Sequence, residues 1–132
     1  MSAERNRLAD DRGASAVEFA LLAPMLLIFL FGIFQLGLAL HYGANVRWAL
    51  ENNARTLLLT PDTTQTQLKT AMLANLSDVP NTGSLAVTLT TDNTDPSAKM
   101  LKATSAYTYP LSIPMLPSVD LTFNANVTVP AP

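Results

Sequence analysis

Residues 19–40 read FALLAPMLLIFLFGIFQLGLAL, and this stretch decides the fold of the chain. Fourteen of its residues are Leu, Ile or Phe, and Gln35 has the only side chain that carries a hydrogen-bonding group. As a helix the stretch would be about 33 Å long, and the hydrocarbon core of a bilayer is about 30 Å thick. The rest of the chain is too short to enclose a helix that is apolar on every face. The stretch therefore predicts a membrane span.

The composition of the whole chain agrees with a membrane-attached protein. Of the 132 residues, 48% are hydrophobic and 14% are charged, whereas soluble domains average about 25% charged residues. Cysteine is absent and the net charge is −2, which excludes a disulfide-stapled fold and gives no sign of a nucleic-acid partner. We expect a single span that carries a small polar domain.

A cleaved secretory signal is the main competing interpretation of the apolar stretch. Such signals have apolar regions of about 7–15 residues, followed by a small-residue cleavage site. Here the stretch is longer, and the nearby Ala14-Ser15-Ala16 precedes it. The pattern therefore disfavours cleavage by ordinary signal peptidase.

The arginines on either side of the span predict its orientation. Three arginines lie in residues 1–18, whereas Arg47 and Arg55 lie beyond the span. Positive residues favour the cytoplasmic side, so we expect a cytoplasmic N-terminus and a C-terminal domain outside. Tyr42 and Trp48 would then lie near the outer headgroups as interfacial anchors.

The border of the span carries a short motif. Residues 12–24 read RGASAVEFALLAP, with Gly13 five residues before Glu18, Phe19 next to it, and Pro24 six residues after the glutamate. This arrangement resembles the class III prepilin signal, which a dedicated aspartyl peptidase cuts after the glycine. More closely, it resembles the TadE-like family, the minor pilins or pseudopilins of the tight-adherence (Tad/Flp) pilus system. The resemblance covers about residues 12–58.

The resemblance implies a processing site and a set of partners. Residues 1–13 would be a cytoplasmic leader, cut between Gly13 and Ala14 by a prepilin peptidase, and Glu18 would become the fifth mature residue. The span would lie in the bacterial inner membrane with residues 60–132 in the periplasm, until assembly brings the protein to the pilus or cell surface. Other major and minor pilins, the inner-membrane assembly platform and the lipid bilayer are the implied partners.

The chemistry of Glu18 gives a reason for this motif. Cleavage would create an α-ammonium group at Ala14, with a pKa of about 8. This cation and the carboxylate of Glu18 are each costly near lipid, and pairing reduces both costs. The pair would be i and i+4 within one chain, or would form between neighbouring subunits, beside Phe19. Two simpler interpretations remain open: Glu18 only marks the membrane boundary, and Gly13 only caps the start of a helix.

Proline and small residues inside the helix carry two further predictions. Pro24 lacks an amide hydrogen and should kink or loosen the helix, although prolines are also tolerated in membrane helices without such a role. Ala39 and Gly43 have the spacing that lets two membrane helices approach closely. We expect weak support for helix packing at this pair.

Beyond the span, the helix becomes amphipathic, and a single long helix is expected from about Ala14 to Leu59. An apolar stripe is predicted to face a domain: Val46, Leu50, Ala54, Leu57 and Leu58. Charged residues at i,i+4 spacing predict a ladder of ion pairs on another face: Arg47, Glu51 and Arg55.

The polar half predicts a second helix and three strands. Thr60 and Pro61 suit the N-cap and first position of that helix, whose apolar line is Leu68, Met72 and Leu76, and residues 80–83 (PNTG) should close it. A period of two then predicts strands near residues 85–90, 100–109 and 119–129, separated by a turn at 92–97 and a proline-containing link. We expect an α+β, pilin-like fold with a small antiparallel sheet laid on the upper helix.

The sequence offers no catalytic or cofactor-binding constellation. His41 is the only histidine, so neither a Ser-His-Asp triad nor a histidine metal site is supported, and Asp92 with Asp95 is better explained as part of a turn than as a calcium loop. We therefore expect no enzyme, no metal and no cofactor. The alternative to a minor pilin is a single-span anchor that presents a periplasmic interaction domain to secretion or envelope partners.

Overall fold

The computed structural model describes residues 3–60, 62–94 and 99–131, with side chains from Gly13 onward. The elements in chain order are α1 (Ala3–Leu59), α2 (Gln65–Ala74), a 3-10 turn (Thr82–Ser84), β1 (Ala86–Asp92), β2 (Met100–Leu111) and β3 (Val119–Pro130). The predicted α+β class, with a long apolar helix, a second helix and a three-stranded antiparallel sheet, is confirmed.

Helix α1 is the longest element of the described chain. Its 57 residues correspond to a length of about 86 Å. It begins at Ala3 rather than at Ala14, and Gly13 therefore lies within the helix. The interpretation of Gly13 as a helix N-cap is wrong.

The second helix begins later than the sequence predicts. Its N-cap is Thr64, not Thr60, and Pro61 lies outside the described residues. The hydroxyl of Thr64 accepts the amide hydrogen of Gln67, and the Gln67 side chain accepts that of Thr64. This reciprocal capping box satisfies the amides of Thr64 and Gln67, which have no partner within the helix at its start. The amide of Thr60 instead donates to the Thr56 carbonyl in the last turn of α1.

Helix α2 also ends earlier than expected. Its C-cap is Asn75, so residues 80–83 do not close it and instead lead into the 3-10 turn. Leu68 and Met72 are buried as predicted, whereas Leu76 is buried beyond the end of the helix.

The sheet has the order β1-β2-β3, and both pairings are antiparallel. Strand β1 pairs with β2 only as far as Ala106, whereas β3 continues to Leu111. Beyond Ala106, β2 is therefore an edge on one side, and this explains why Pro110 is tolerated within it. Strand β2 ends at Leu111 rather than at Tyr109, so the proline-containing link begins two residues later than the sequence predicts.

The turn between β1 and β2 is held by an aspartate, as the sequence predicts. The amide hydrogen of Thr94 donates to Asp92 Oδ1 over 3.0 Å, and the Thr94 hydroxyl donates to the same oxygen. These bonds, the hydroxyl first and the amide second, lower the pKa of Asp92. Residues 95–98 of the predicted turn lie outside the described residues.

One face of the sheet packs on the upper half of α1. Alternate residues of the strands point to the helix, and the opposite face is mostly Thr, Asn and Lys. The buried apolar residues form one cluster shared by the helices and the sheet: Val46, Ala49, Leu50, Ala54, Leu57, Leu68, Met72, Leu76, Val79, Leu85, Val87, Ala103, Tyr107 and Val129. The predicted stripe of α1 is thus confirmed except at Leu58, which is half exposed.

The small-residue pair of α1 faces the chain's own sheet. Ala39 is fully buried, and a Cβ atom added at Gly43 would lie 2.6 Å from Cδ1 of Phe123 on β3. The predicted helix–helix contact is therefore wrong for Gly43, because β3 occupies that surface. Glycine lets the ring approach the helix backbone directly.

The charged ladder forms only in its lower half. Arg47 Nε donates to Glu51 Oε1 over 2.8 Å, and the pKa of Arg47 is raised by this hydrogen bond and by the charge of Glu51. The predicted second pair, Glu51 with Arg55, does not form. Exposed pairs of this kind contribute little to stability, because solvent screens them.

Polar bonds tie the 3-10 turn to the central strand. The Tyr107 hydroxyl donates to the Pro80 carbonyl over 2.7 Å, and the Asn81 amide donates to the Thr108 carbonyl over 3.0 Å. Ser84 Oγ lies 2.9 Å from that same carbonyl. Burial raises the pKa of Tyr107, with smaller contributions from the neighbouring Tyr109 and Tyr42. The turn is thus fixed over the end of the core.

Candidate functional site

The predicted cleavage site lies on an open surface of α1. Gly13 and Ala14 are exposed, and none of the described side chains lies within 4 Å of a Cβ added at Gly13. Packing therefore does not require glycine at this position. Glycine inside a helix is less favourable than alanine by about 0.5–1 kcal/mol, so the helix is locally weak beside the bond between residues 13 and 14.

Glu18 and Phe19 lie where the charged part of α1 meets its apolar part. Both side chains are exposed, Phe19 to 70%. Ala14 and Glu18 lie one helical turn apart on the same face. Glu18 has no side-chain hydrogen bond or ion pair to any residue that the structure describes. Its carboxylate is thus available to a group outside the folded chain.

Pro24 lies inside α1, and helical backbone continues on both sides of it. Proline has no amide hydrogen, so the carbonyl of Ala20 lacks its usual partner one turn along. The kink expected at Pro24 remains a prediction.

The lower part of the apolar stretch of α1 is covered by no other part of the described chain. Within the described residues, one helix is long and apolar enough to cross a membrane. Its most apolar window has a mean hydropathy of 2.4, and none of the residues in that window is buried. One flank forms a shallow apolar groove lined by Phe19, Leu22, Ala23, Met25, Leu26 and Phe29. This part of the helix is compatible with a single-pass membrane protein.

The sheet domain reaches down to the upper part of the apolar stretch. Tyr109 of β2 donates its hydroxyl hydrogen to Gln35 Oε1 over 3.1 Å, and Ile113 Cδ1 lies 3.6 Å from a Cβ added at Gly32. The only polar side chain of the stretch thus has a partner within the same chain. The lone glutamine was the one sequence signal for this contact.

The interfacial residues of the upper helix have different surroundings. Tyr42 is half buried, with its ring centroid 5.5 Å from that of Tyr109, whereas Trp48 is exposed. His41 is exposed and lies 3.3 Å from the Asn45 amide. In the part of the chain that the structure describes, no group of His, Asp or Glu could hold a metal ion.

These features define a class of protein: an apolar helix of membrane-spanning length that continues into a small α+β domain. The family model described as TadE-like protein matches residues 13–55. The resemblance drawn from the sequence is thereby confirmed over the segment that begins at Gly13 and includes Glu18, and the match associates the chain with the Tad pilus system. No match was found among curated proteins or among solved structures.

Proposed function

We propose that the protein is a minor pilin, or pseudopilin, of a Tad/Flp type IV pilus. It is inserted in the inner membrane with its N-terminus in the cytoplasm and its sheet domain in the periplasm. A prepilin peptidase removes residues 1–13, and the mature protein acts in pilus priming, assembly or tip formation. The observation that supports this role best is an uncovered apolar helix with Glu18 at its border, inside the segment that matches the TadE-like family.

The surroundings of Gly13 favour a role in processing. Its surface is open, and no internal contact requires glycine there. A peptidase that binds this segment meets no steric obstacle from the described chain. The glycine also lowers the cost of unwinding the helix locally, which exposes the backbone carbonyl of the bond to be cut.

Glu18 supports a role in assembly. After cleavage, the new α-ammonium of Ala14 lies one helical turn from a carboxylate that has no described internal partner. Pairing within the chain would lower the cost of holding both groups near lipid. Pairing with a neighbouring subunit would fix the axial position of one helix against the next. The role is structural and requires no cofactor.

The uncovered lower part of the apolar stretch supports two successive environments. In the membrane its side chains contact lipid, and each Leu, Ile or Phe contributes about −0.3 to −0.6 kcal/mol to the free energy of insertion. The same surface can pack against other pilin helices. Major and minor pilins and the inner-membrane assembly platform are therefore the proposed partners.

Intact mass of the mature protein tests the processing step. With the cognate peptidase present, the wild-type chain should lose residues 1–13, whereas Gly13→Leu should retain them. Gly37→Leu is a matched control, because none of the described side chains lies within 4 Å of a Cβ at either glycine. A wild-type chain that keeps residues 1–13 beside active peptidase would contradict the pilin proposal and favour the single-span anchor.

Charge removal tests the assembly step. Glu18→Gln should insert into the membrane at wild-type levels but reduce the number of pili. Glu51→Gln is the control, because it makes the same change on the same helix at a site paired only with Arg47. Equal piliation in the two variants would show that the Glu18 carboxylate has no role in assembly.

A further inference from the structure

We propose that the loop between β2 and β3, residues 112–118, inserts into the outer boundary of the bilayer that holds α1. This β2–β3 loop would be a second membrane contact beside the span. The proposal rests on the membrane insertion of α1 in the proposed function, and it names the lipid surface as the partner of this end of the sheet domain.

The β2–β3 loop is uncharged and apolar. Residues 111–119 read LSIPMLPSV. Met115 is 88% exposed, and Leu116 and Val119 are each 52% exposed. The opposite end of the sheet differs, because the turn after β1 contains Asp92 and Asn93. Met100, at the far end of the sheet, is 38% exposed, so the larger apolar exposure of the sheet lies at the end nearer the span.

The position of the loop on α1 determines its depth. Ile113 reaches the level of Gly32, which is eight residues before Leu40, the upper end of the predicted span. Eight helical residues correspond to about 12 Å. A hydrocarbon core of about 30 Å that begins at Phe19 ends about 3 Å below Leu40, so Ile113 lies about 9 Å below its outer boundary, among the outer acyl chains.

Moving the bilayer along α1 to keep the loop in water leaves too little helix. Only residues 19–31 would remain between Glu18 and the loop, a length of about 20 Å against a hydrocarbon core of about 30 Å. The shortfall would draw Glu18 and its polar neighbours into hydrocarbon, where an unpaired carboxylate is costly. Insertion of an uncharged loop avoids this cost.

The backbone of the loop presents a methionine to its surroundings at a conformational cost. The Leu116 amide donates to the Ile113 carbonyl over 3.1 Å, Pro114 occupies the second position of this turn, and Met115 has φ of 68°. These are the features of a type II turn, in which the third residue is usually Gly or Asn. In water, nothing offsets the conformational cost of holding an exposed apolar side chain in the left-handed region, whereas contact with acyl chains would offset it.

The polar groups of the loop suit a shallow depth. Pro114 and Pro117 have no amide hydrogen, and the amide of Leu116 is already bonded. The amides of Ser112, Ile113, Met115 and Ser118 have no partner among the described residues, so headgroups or water must satisfy them, and irregular backbone is not tolerated deeper in hydrocarbon. Amphipathic elements at the boundary bury their apolar side chains by about 5–10 Å, and we expect the loop to lie in this range.

Depth-dependent fluorescence quenching tests the proposal. Because the chain has no cysteine, single-cysteine variants of the full chain can be labelled with an environment-sensitive fluorophore. Met115→Cys reports on the loop, Asn93→Cys on the far end of the sheet, and Leu26→Cys on the span. The variants are placed in phosphatidylethanolamine and phosphatidylglycerol nanodiscs, with quenchers attached to the lipid or with iodide in the water.

The three labels separate this proposal from the proposed function. We expect the labels at positions 26 and 115 to be quenched by lipid-attached groups several-fold more than that at 93, and iodide to show the reverse order. Lipid quenching at 26 with iodide quenching at 115 would overturn the loop proposal alone. Absence of lipid quenching at 26 would overturn the span and both proposals. Protection at 115 from both quenchers, lost as lipid is added, would assign the loop to a second copy and overturn the lipid contact.

Discussion

Replacing Gly43 with alanine tests how closely the sheet domain is fitted to α1. A Cβ at this position would lie 2.6 Å and 2.7 Å from two ring atoms of Phe123. Ordinary van der Waals contact begins at about 3.4 Å, so the ring must retreat by about 0.8 Å. The fully buried Tyr107 lies beside it on β2 and blocks movement of the ring in that direction.

Two opposing effects determine the size of the change. Overpacking a fitted contact costs about 1–3 kcal/mol, whereas alanine in place of glycine stabilises a helix by about 1 kcal/mol. Gly37→Ala has the second effect without the first, because no atom lies within 4 Å of its Cβ position. The difference between the two variants therefore isolates the clash, and we expect it to be about 2 kcal/mol.

Hydrogen exchange of the β3 amides in the full chain, held in lipid nanodiscs, measures this difference. Exchange through opening of the sheet reports the free energy of opening. A loss of about 2 kcal/mol corresponds to roughly 30-fold faster exchange, so Gly43→Ala should exchange faster than Gly37→Ala by about that factor.

A double-mutant cycle with Phe123→Ala assigns the effect to the ring. In the Phe123→Ala background, Gly43→Ala should lose its cost and become slightly stabilising, because the ring atoms are gone. Equal exchange in Gly43→Ala and Gly37→Ala would refute the close fit of β3 on α1. A cost that persists without the ring would place its origin elsewhere.

Three further predictions concern the sheet domain and use the same exchange measurement. Ser105→Ala should stabilise the domain by about 1 kcal/mol, because the Ser105 hydroxyl is fully buried and has no hydrogen-bond partner among the described residues. Faster amide exchange in this variant than in the wild type would contradict this. Tyr107→Phe should destabilise it by about 1 kcal/mol through loss of the bond to Pro80. Since burial raises the folded pKa of Tyr107, its contribution is complete below the unfolded pKa of about 10 and is lost as pH rises through the folded value; the variant should therefore show a weaker alkaline loss of stability, measured from pH 8 to 11. Met115→Gly should relieve a positive φ at a cost in chain entropy, with a net change within about 1 kcal/mol; a larger loss would show that Met115 packs inside the domain.

The sequence predicted the elements whose signals are local. Apolar residues at helical spacing identified Val46, Leu50 and Ala54 as the face of α1 that meets the domain, and these residues are buried. The alternation of apolar and polar residues along 119–129 identified β3. Both patterns arise from one element lying against one surface, so they can be read without knowing the partner.

Features that depend on distant residues were missed. The start of α2 was also wrong, although its signal is local: Thr60-Pro61 is a generic start signal, whereas Thr64 and Gln67, three residues apart, form the reciprocal bonds of a capping box. The depth of the sheet on α1 depends on partners such as Tyr109 and Gln35, which are 74 residues apart. No local pattern encodes how far along a helix a sheet will pack.

In the candidate site, the sequence also predicts the residues but not all that determines their roles. Gly13, Glu18 and Phe19 were identified through the resemblance of their motif to the prepilin signal and the TadE-like family, and the family model matches the same segment, residues 13–55. Their roles depend on a peptidase and on neighbouring subunits, which a single chain does not contain. The exposure of these residues is what the fold adds to the prediction.

The uncovered apolar window of α1 constrains how the molecule can travel. Residues 19–40 contain fourteen Leu, Ile and Phe side chains, and twelve of them are exposed on the described chain, so release into water would leave these twelve in contact with water at once. The transfer scale puts that step at about 4–7 kcal/mol uphill. A subunit that leaves the bilayer for a filament would therefore have to exchange each lipid neighbour for a protein neighbour side by side, without an aqueous intermediate.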